Sequence, residues 1–77
     1  MKEEIKNYIK PNRDTKMCTL LVCTSNSSYL PFKLGEHALW LGEIPGMQGH
    51  CAVADSIGRI HWALHNHDFG ILPEDKI

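Results

Sequence analysis

From Phe32 onward the chain consists of short apolar segments, and glycine, proline or a polar turn interrupts each segment before it reaches the length of a helix. The clearest segments are HALWLGE (residues 37–43), HCAVAD (50–55) and RIHWAL (59–64). Apolar stretches of this length between turn residues are typical of β-strands. The spacing therefore predicts an all-β fold of about five short strands, as in a small barrel.

The segments 50–55 and 59–64 predict a β-hairpin. The sequence Ser-Ile-Gly joins them, and Gly58 suits the left-handed position that a three-residue loop requires. If Asp55 opposes Arg59, small residues on one strand oppose large residues on the other. The pairs are Ala54 with Ile60, Ala52 with Trp62, and His50 with Leu64. One face of this hairpin then joins a predicted core of Ala38, Trp40, Ala52, Ala54, Ile60, Trp62, Leu64 and Ile71, and the opposite face carries Cys51, Val53, His61 and Ala63.

Residues 1–31 are predicted to form an N-terminal extension, and residues 32–77 the barrel. In the extension, the spacing of Ile5, Tyr8 and Ile9 predicts a short helix over residues 2–10. The apolar segment MCTLLVCT (residues 17–24) predicts a strand, and SNSSYLP (25–31) a loop. We expect the strand to cover an apolar outer face of the barrel, as a strand added at a sheet edge or as a lid. A cover that comes from a second copy would make the protein a homodimer.

Three stretches of the sequence resemble the SH3-like small barrels. They are FKLGEHALWL, GHCAVADSIGRIHW and LPED, which together span roughly residues 32–77. The chain is most similar to a family of small uncharacterised bacterial and phage proteins. That family ends in a Gly-x-Ile-His strand and a Leu-Ile-Pro-x-acid strand, matched here by residues 58–61 and 71–75. The resemblance implies a fold and leaves the activity open.

The charge, the hydrophobic pattern and the cysteine content indicate which cellular location and which classes of partner to expect. The formal net charge is −1 at pH 7, so the surface as a whole does not favour nucleic acid or anionic lipid. The N-terminal segment contains acidic residues and no apolar core of a signal peptide. The longest apolar run, Leu20 to Cys23, is too short to span a bilayer. An odd number of cysteines, three, predicts reduced thiols and a cytoplasmic location.

The histidines at the end of the chain suggest one alternative function, the binding of a transition metal. His65 and His67 are two residues apart near a predicted turn, where their imidazoles could converge. A structural zinc ion needs four ligands and a catalytic one needs three, so at least one further ligand would be required. His61 would lie about 13 Å from His65 along one strand, too far to share an ion. We expect no metal and no cofactor.

A catalytic cysteine is a second alternative, and the strand geometry argues against it. Adjacent residues of a strand point to opposite faces, so His50 cannot activate Cys51 as a nucleophile. The chain is therefore not expected to be an enzyme.

RNA binding is a third alternative, because exposed aromatic rings can stack on bases. The stacking candidates are Phe32, Trp40, Trp62 and Phe69. Binding of this kind usually needs a basic groove as well. Between residues 34 and 75, Arg59 is the only cationic side chain other than histidine. Nucleic acid is therefore not the expected partner.

These observations favour a non-enzymatic adaptor or accessory subunit that binds a protein partner or a second copy. Alternation along residues 37–43 puts Leu39 and Leu41 on the outer face of the barrel. The turn-rich segment IPGMQG (residues 44–49) carries two more apolar side chains, Ile44 and Met47, which either contact a partner or fold back to close the barrel end. The candidate binding residues are Leu39, Leu41, Ile44, Met47, Val53, His61, His65 and His67.

Overall fold

The computed structural model describes residues 8–72, which form an all-β protein. Its five strands are β1 (Leu20–Cys23), β2 (His37–Glu43), β3 (His50–Ala54), β4 (Ile60–His65) and β5 (Phe69–Ile71). One turn of 3-10 helix, Asn66–Asp68, separates β4 from β5. Each strand falls within, or within one residue of, an apolar segment of the sequence, because glycine and polar turns bound those segments.

All five strands belong to one antiparallel sheet, in the order β4-β3-β2-β1-β5. The sheet does not close within the described residues, so the finding is an open five-stranded sheet. β1 pairs with both β2 and β5, and it is therefore an inner strand of this sheet. In the described part of the chain, no helix is long and apolar enough to cross a membrane.

Two of the predicted features lie at the ends of the chain. The predicted helix over residues 2–10, including Ile5, falls mostly outside the described residues, as do residues 73–77 of the closing motif. Where the description begins, Ile9 lies in extended backbone and forms a β-bridge to Ile71 of β5. No α-helix is found in residues 8–72.

The core lies on one face of the sheet. Trp40 and Phe69 are its largest fully buried side chains. The loop between β1 and β2 closes this face: its Phe32 packs edge-on against Phe69, with ring centroids 5.4 Å apart, and Leu30 is buried beside it. The predictions that Ala38 and Trp40 are buried, and that Leu64 and Ile71 pack against the core, are confirmed. The buried cluster consists of Leu21, Cys23, Leu30, Phe32, Ala38, Trp40, Cys51, Val53 and Phe69.

The predicted inner face of the β3–β4 hairpin is wrong for Ile60 and Trp62, although Ala52 is buried as predicted. Val53, and not an alanine, lies opposite Trp40, and side chains that oppose each other share one face of a sheet. Val53 and Cys51 are consequently buried, whereas Ile60 and Trp62 are exposed. A valine and a cysteine fill the space beside a buried tryptophan better than two alanines do, which favours this choice of face.

Two β-bulges set the remaining registers. One places an extra residue, Leu41, in β2 between Trp40 and Gly42. The other lies in β4, where Ala63 has a φ of 63° and Leu64 returns to the core. The predicted pairing of Ala54 with Ile60 is confirmed. Beyond the second bulge the pairing shifts by one residue, since a bulge sets two residues against one. Leu64 therefore opposes Cys51, and His65 opposes His50.

The hairpin loop is built as the sequence indicates. Gly58 has a φ of 87°, and the Asp55 amide donates to the Arg59 carbonyl over 2.9 Å. One carboxylate oxygen of Asp55 also accepts hydrogen bonds from the backbone N–H groups of Ile57 and Arg59. The Asp55 side chain therefore stabilises the loop conformation through hydrogen bonds to its backbone, as short polar residues commonly do in turns.

Candidate functional site

A row of apolar side chains crosses four strands on the face of the sheet that points away from the core. Leu20 lies opposite Leu39, Leu39 opposite Ala54, and Ala54 opposite Ile60. Trp62 stands two residues after Ile60 on β4 and points to the same side, because side chains of a strand alternate. We call these residues the outer apolar face: Leu20, Leu39, Ala54, Ile60 and Trp62.

The large members of the outer apolar face are accessible to solvent. Trp62 is 66% exposed, Ile60 53% and Leu39 37%. An open groove of about 250 Å³ runs beside Leu39, across the middle of the row; it is lined by Leu20, His37, Ala38, Leu39, Ala54, Asp55 and Ser56. Contiguous apolar side chains on the surface of a soluble protein mark a contact site.

Only some of the predicted binding residues lie on the outer apolar face. Leu39 belongs to it, as expected. The placement of Val53 on the outside is wrong, because this side chain is fully buried against Trp40. Leu41 is half-buried in the β2 bulge and is not part of the cross-strand row.

Ile44 and Met47 lie in the connection between β2 and β3. The Met47 amide donates to the Ile44 carbonyl over 3.0 Å, and the His50 amide donates to the Met47 carbonyl over 3.0 Å. These bonds make two successive tight turns. Met47 is exposed and Ile44 is half-buried. Met47 is thus free to contact a partner, while Ile44 is partly covered.

Three histidines meet where β3 begins and β4 ends. The rings of His50 and His65 have centroids 4.4 Å apart, and those of His65 and His67 are stacked at 5.1 Å. The shifted register beyond the β4 bulge brings His50 beside His65. His65 and His67, which the sequence suggested could converge, lie side by side, and His50 is an additional member of the cluster. Within residues 8–72, no group of three or more His, Cys, Asp or Glu side chains is arranged to hold a metal ion.

His61 is separate from this cluster, because it points to the core side of the sheet. Its Nε2 lies 2.9 Å from Oδ2 of Asp55, and its ring packs edge-on against Phe32 with centroids 5.2 Å apart. The hydrogen bond to His61, together with the two backbone N–H groups of the loop, lowers the pKa of Asp55 from its ordinary value. His61 and Asp55 therefore join the hairpin loop to β4, a structural role.

The inner thiols are held in their protonated form. Burial, and secondarily the nearby charges of Asp68 and Glu43, raise the pKa of Cys51 to about 12. Burial also raises the pKa of Cys23. A nucleophile must be a thiolate to react, so the environment of Cys51 does not favour cysteine catalysis.

Sequence reasoning missed Ile60, Trp62 and His50. One signal could have identified the first two: Cys51 and Val53 are more often buried than alanine is, which indicates the face that carries them as the inner one. The position of His50 beside His65 results from the register shift at the Ala63 bulge. That bulge could not be predicted, because an alanine carries no sequence signal of a left-handed conformation.

Comparison with protein-family models, with curated proteins and with solved structures finds no match for this chain.

Proposed function

We propose that this chain is a non-enzymatic protein-interaction module, an adaptor or accessory subunit, whose partner docks on the outer apolar face. The observation that carries the proposal is the joint exposure of Trp62 and Ile60 on β4. Tryptophan is enriched among the residues that dominate binding energy at interfaces. An accessible tryptophan next to a row of aliphatic side chains supplies a large apolar area that a partner can bury.

The SH3-like small-barrel assignment is part of this proposal. Five short antiparallel strands support it, with β1 to β4 in consecutive order and β5 returning beside β1. Bulges at Leu41 and Ala63 also support it, because bulges bend and twist strands and so curl a sheet. The three free cysteines support a reducing, cytoplasmic location.

Two alternatives are less well supported. For transition-metal binding through His65 and His67, His50 is a candidate third ligand beside them. The described side chains nevertheless provide no preformed three-ligand group. RNA binding gains an exposed stacking surface in Trp62. The charge pattern still does not favour it, since Arg59 is the only lysine or arginine between residues 34 and 75.

The proposal is tested by comparing the proteins that three tagged forms retain from cells that express the chain. The forms are the wild type, Trp62→Lys and Ile57→Lys. Ile57 is an exposed isoleucine in the hairpin loop and lies outside the outer apolar face, so its lysine variant is a matched control. We expect a partner that the wild type and Ile57→Lys retain equally and that Trp62→Lys loses at least tenfold. Equal retention by all three forms would refute the proposed site.

A further inference from the structure

The two edge strands of the sheet, β5 and β4, differ in whether another segment of the chain pairs with them. At the β5 edge, the Ile71 amide donates to the Ile9 carbonyl over 2.6 Å, so the N-terminal segment covers part of that edge. At the β4 edge, no residue within 8–72 pairs with the outward side of the strand. An edge strand with free backbone groups is a template for another strand.

The pairing of β4 with β3 determines which backbone groups are free. The Arg59 carbonyl accepts from the Asp55 amide, so the backbone of Arg59 faces β3. Backbone direction alternates along a strand. His61 therefore faces β3 as well, and the N–H and C=O groups of Ile60 and Trp62 point away from the sheet. The bulge at Ala63 ends the regular edge directly after Trp62.

We propose that a second copy of this chain pairs with this edge, β4 against antiparallel β4, with the two His61 residues facing each other at the two-fold axis. In this register Ile60 of each copy lies opposite Trp62 of the other. Both residues present outward backbone groups, so each pair exchanges two hydrogen bonds, roughly four in all. The inference rests on the proposed function, because the same tryptophan carries both.

The side chains of β4 fit this self-pairing. Ile60 and Trp62 point to the outer side, so each isoleucine packs against the tryptophan of the other copy, and the two outer apolar faces become continuous. Arg59 would oppose Ala63 of the second copy, and no like charges face each other there. Each His61 already bonds to its own Asp55 at 2.9 Å. Under two-fold symmetry the contact between Ile60 and Trp62 forms twice in the same interface. This symmetry favours a second copy over an unrelated strand as the partner.

The short regular edge limits the strength of this dimer. Pairing ends at the Ala63 bulge, so the interface is smaller than the standard size of about 800 Å² per partner. We therefore expect a reversible dimer with a Kd above about 1 μM, which dissociates on dilution.

Sedimentation velocity of the full chain from about 5 μM to about 1 mM tests the proposal. We expect the mean mass of the wild type and of Ile57→Lys to rise toward the dimer, and that of Ile60→Lys and Trp62→Lys to stay monomeric. Circular dichroism establishes that each variant is folded, and two independent variants keep the test valid if one is not.

A mixed sample of isotope-labelled and unlabelled wild type locates the interface. Nuclear Overhauser contacts between Ile60 of one copy and Trp62 of the other are expected. A wild type that is monomeric at about 1 mM, or a dimer that both lysine variants retain, would overturn the inference. If the wild type stays monomeric while partner retention still depends on Trp62, the self-pairing is wrong and the proposed function stands. Retention that does not depend on Trp62 refutes the proposed function itself.

Discussion

The two tryptophans offer a direct test of which face of the sheet is the core. Trp40 is 1% exposed on the inner face, and Trp62 is 66% exposed on the outer face. Replacing a buried tryptophan by alanine removes its transfer free energy and leaves a cavity, at a cost of about 3–5 kcal/mol. We therefore expect Trp40→Ala to lower the free energy of unfolding by that amount.

Trp62→Ala is the matched control, with the same chemical change on the other face. Only about a third of this side chain is buried, which corresponds to roughly 80 Å² and an upper bound of about 2 kcal/mol at 25 cal/mol per Å². Part of that area remains buried by the alanine, and the unfolded chain is itself partly compact. The expected loss for Trp62→Ala is about 1 kcal/mol.

Urea unfolding followed by far-ultraviolet circular dichroism measures both losses without relying on tryptophan fluorescence. A chain of this length has a total stability of roughly 4–12 kcal/mol, so Trp40→Ala should unfold at much lower urea or fail to fold, while Trp62→Ala stays close to wild type. The reverse order, with Trp62→Ala the more damaging, would refute the placement of Val53 and Trp40 on one face. It would restore the hairpin face that simple alternation predicts.

Two further predictions follow from the titratable groups. The lowered pKa of Asp55 means that its charged form stabilises the fold above the pKa of the unfolded chain, and this contribution is lost as pH falls through the folded pKa. The stability advantage of wild type over Asp55→Asn, measured by urea unfolding, should therefore be complete at pH 7 and shrink below about pH 4. A constant difference would exclude this coupling. In the second prediction, Cys18 is exposed while Cys23 and Cys51 are buried, so a thiol reagent at pH 8 should modify Cys18 rapidly and the inner pair only after unfolding. Rapid reaction of all three in the folded protein would contradict the burial of Cys51 and its pKa of about 12.

The positions of the strands could be predicted from the sequence because local residues determine them. Segments 37–43 and 50–55 coincide with β2 and β3 to within one residue, since turns with glycines at positive φ bound them. Gly46, Gly49 and Gly58 all have φ values between 81° and 87°, a conformation that glycine adopts at little cost. These turn signals depend on the local backbone and not on which strands pair.

The pairing register of the strands, and the side of the sheet to which each side chain points, could not be predicted in the same way. Both depend on contacts between strands. Leu41 and Ala63 are the extra residues of the two bulges. Gly42 inside β2 is compatible with a bulge, but no residue type in β4 indicates one. A shift of one residue exchanges the two faces of every position beyond it. The Ala63 bulge therefore explains why Leu64 faces the core although alternation predicts it on the side of Trp62. Trp62 itself precedes the bulge, and it was misplaced because alternation within the hairpin does not determine which of its two faces lies beside Trp40.

The bulge at Ala63 links the fold to the proposed interaction surface. Before the bulge, Ile60 and Trp62 point outward; after it, Leu64 points inward and packs against the core. Without the extra residue, alternation from Trp62 would leave Leu64 on the outer side and remove it from the core. With it, β4 presents an apolar outer pair at one end and still contributes a core residue at the other. The same irregularity ends the free edge after Trp62, which leaves a pairing segment long enough for a reversible contact and too short for open-ended strand addition.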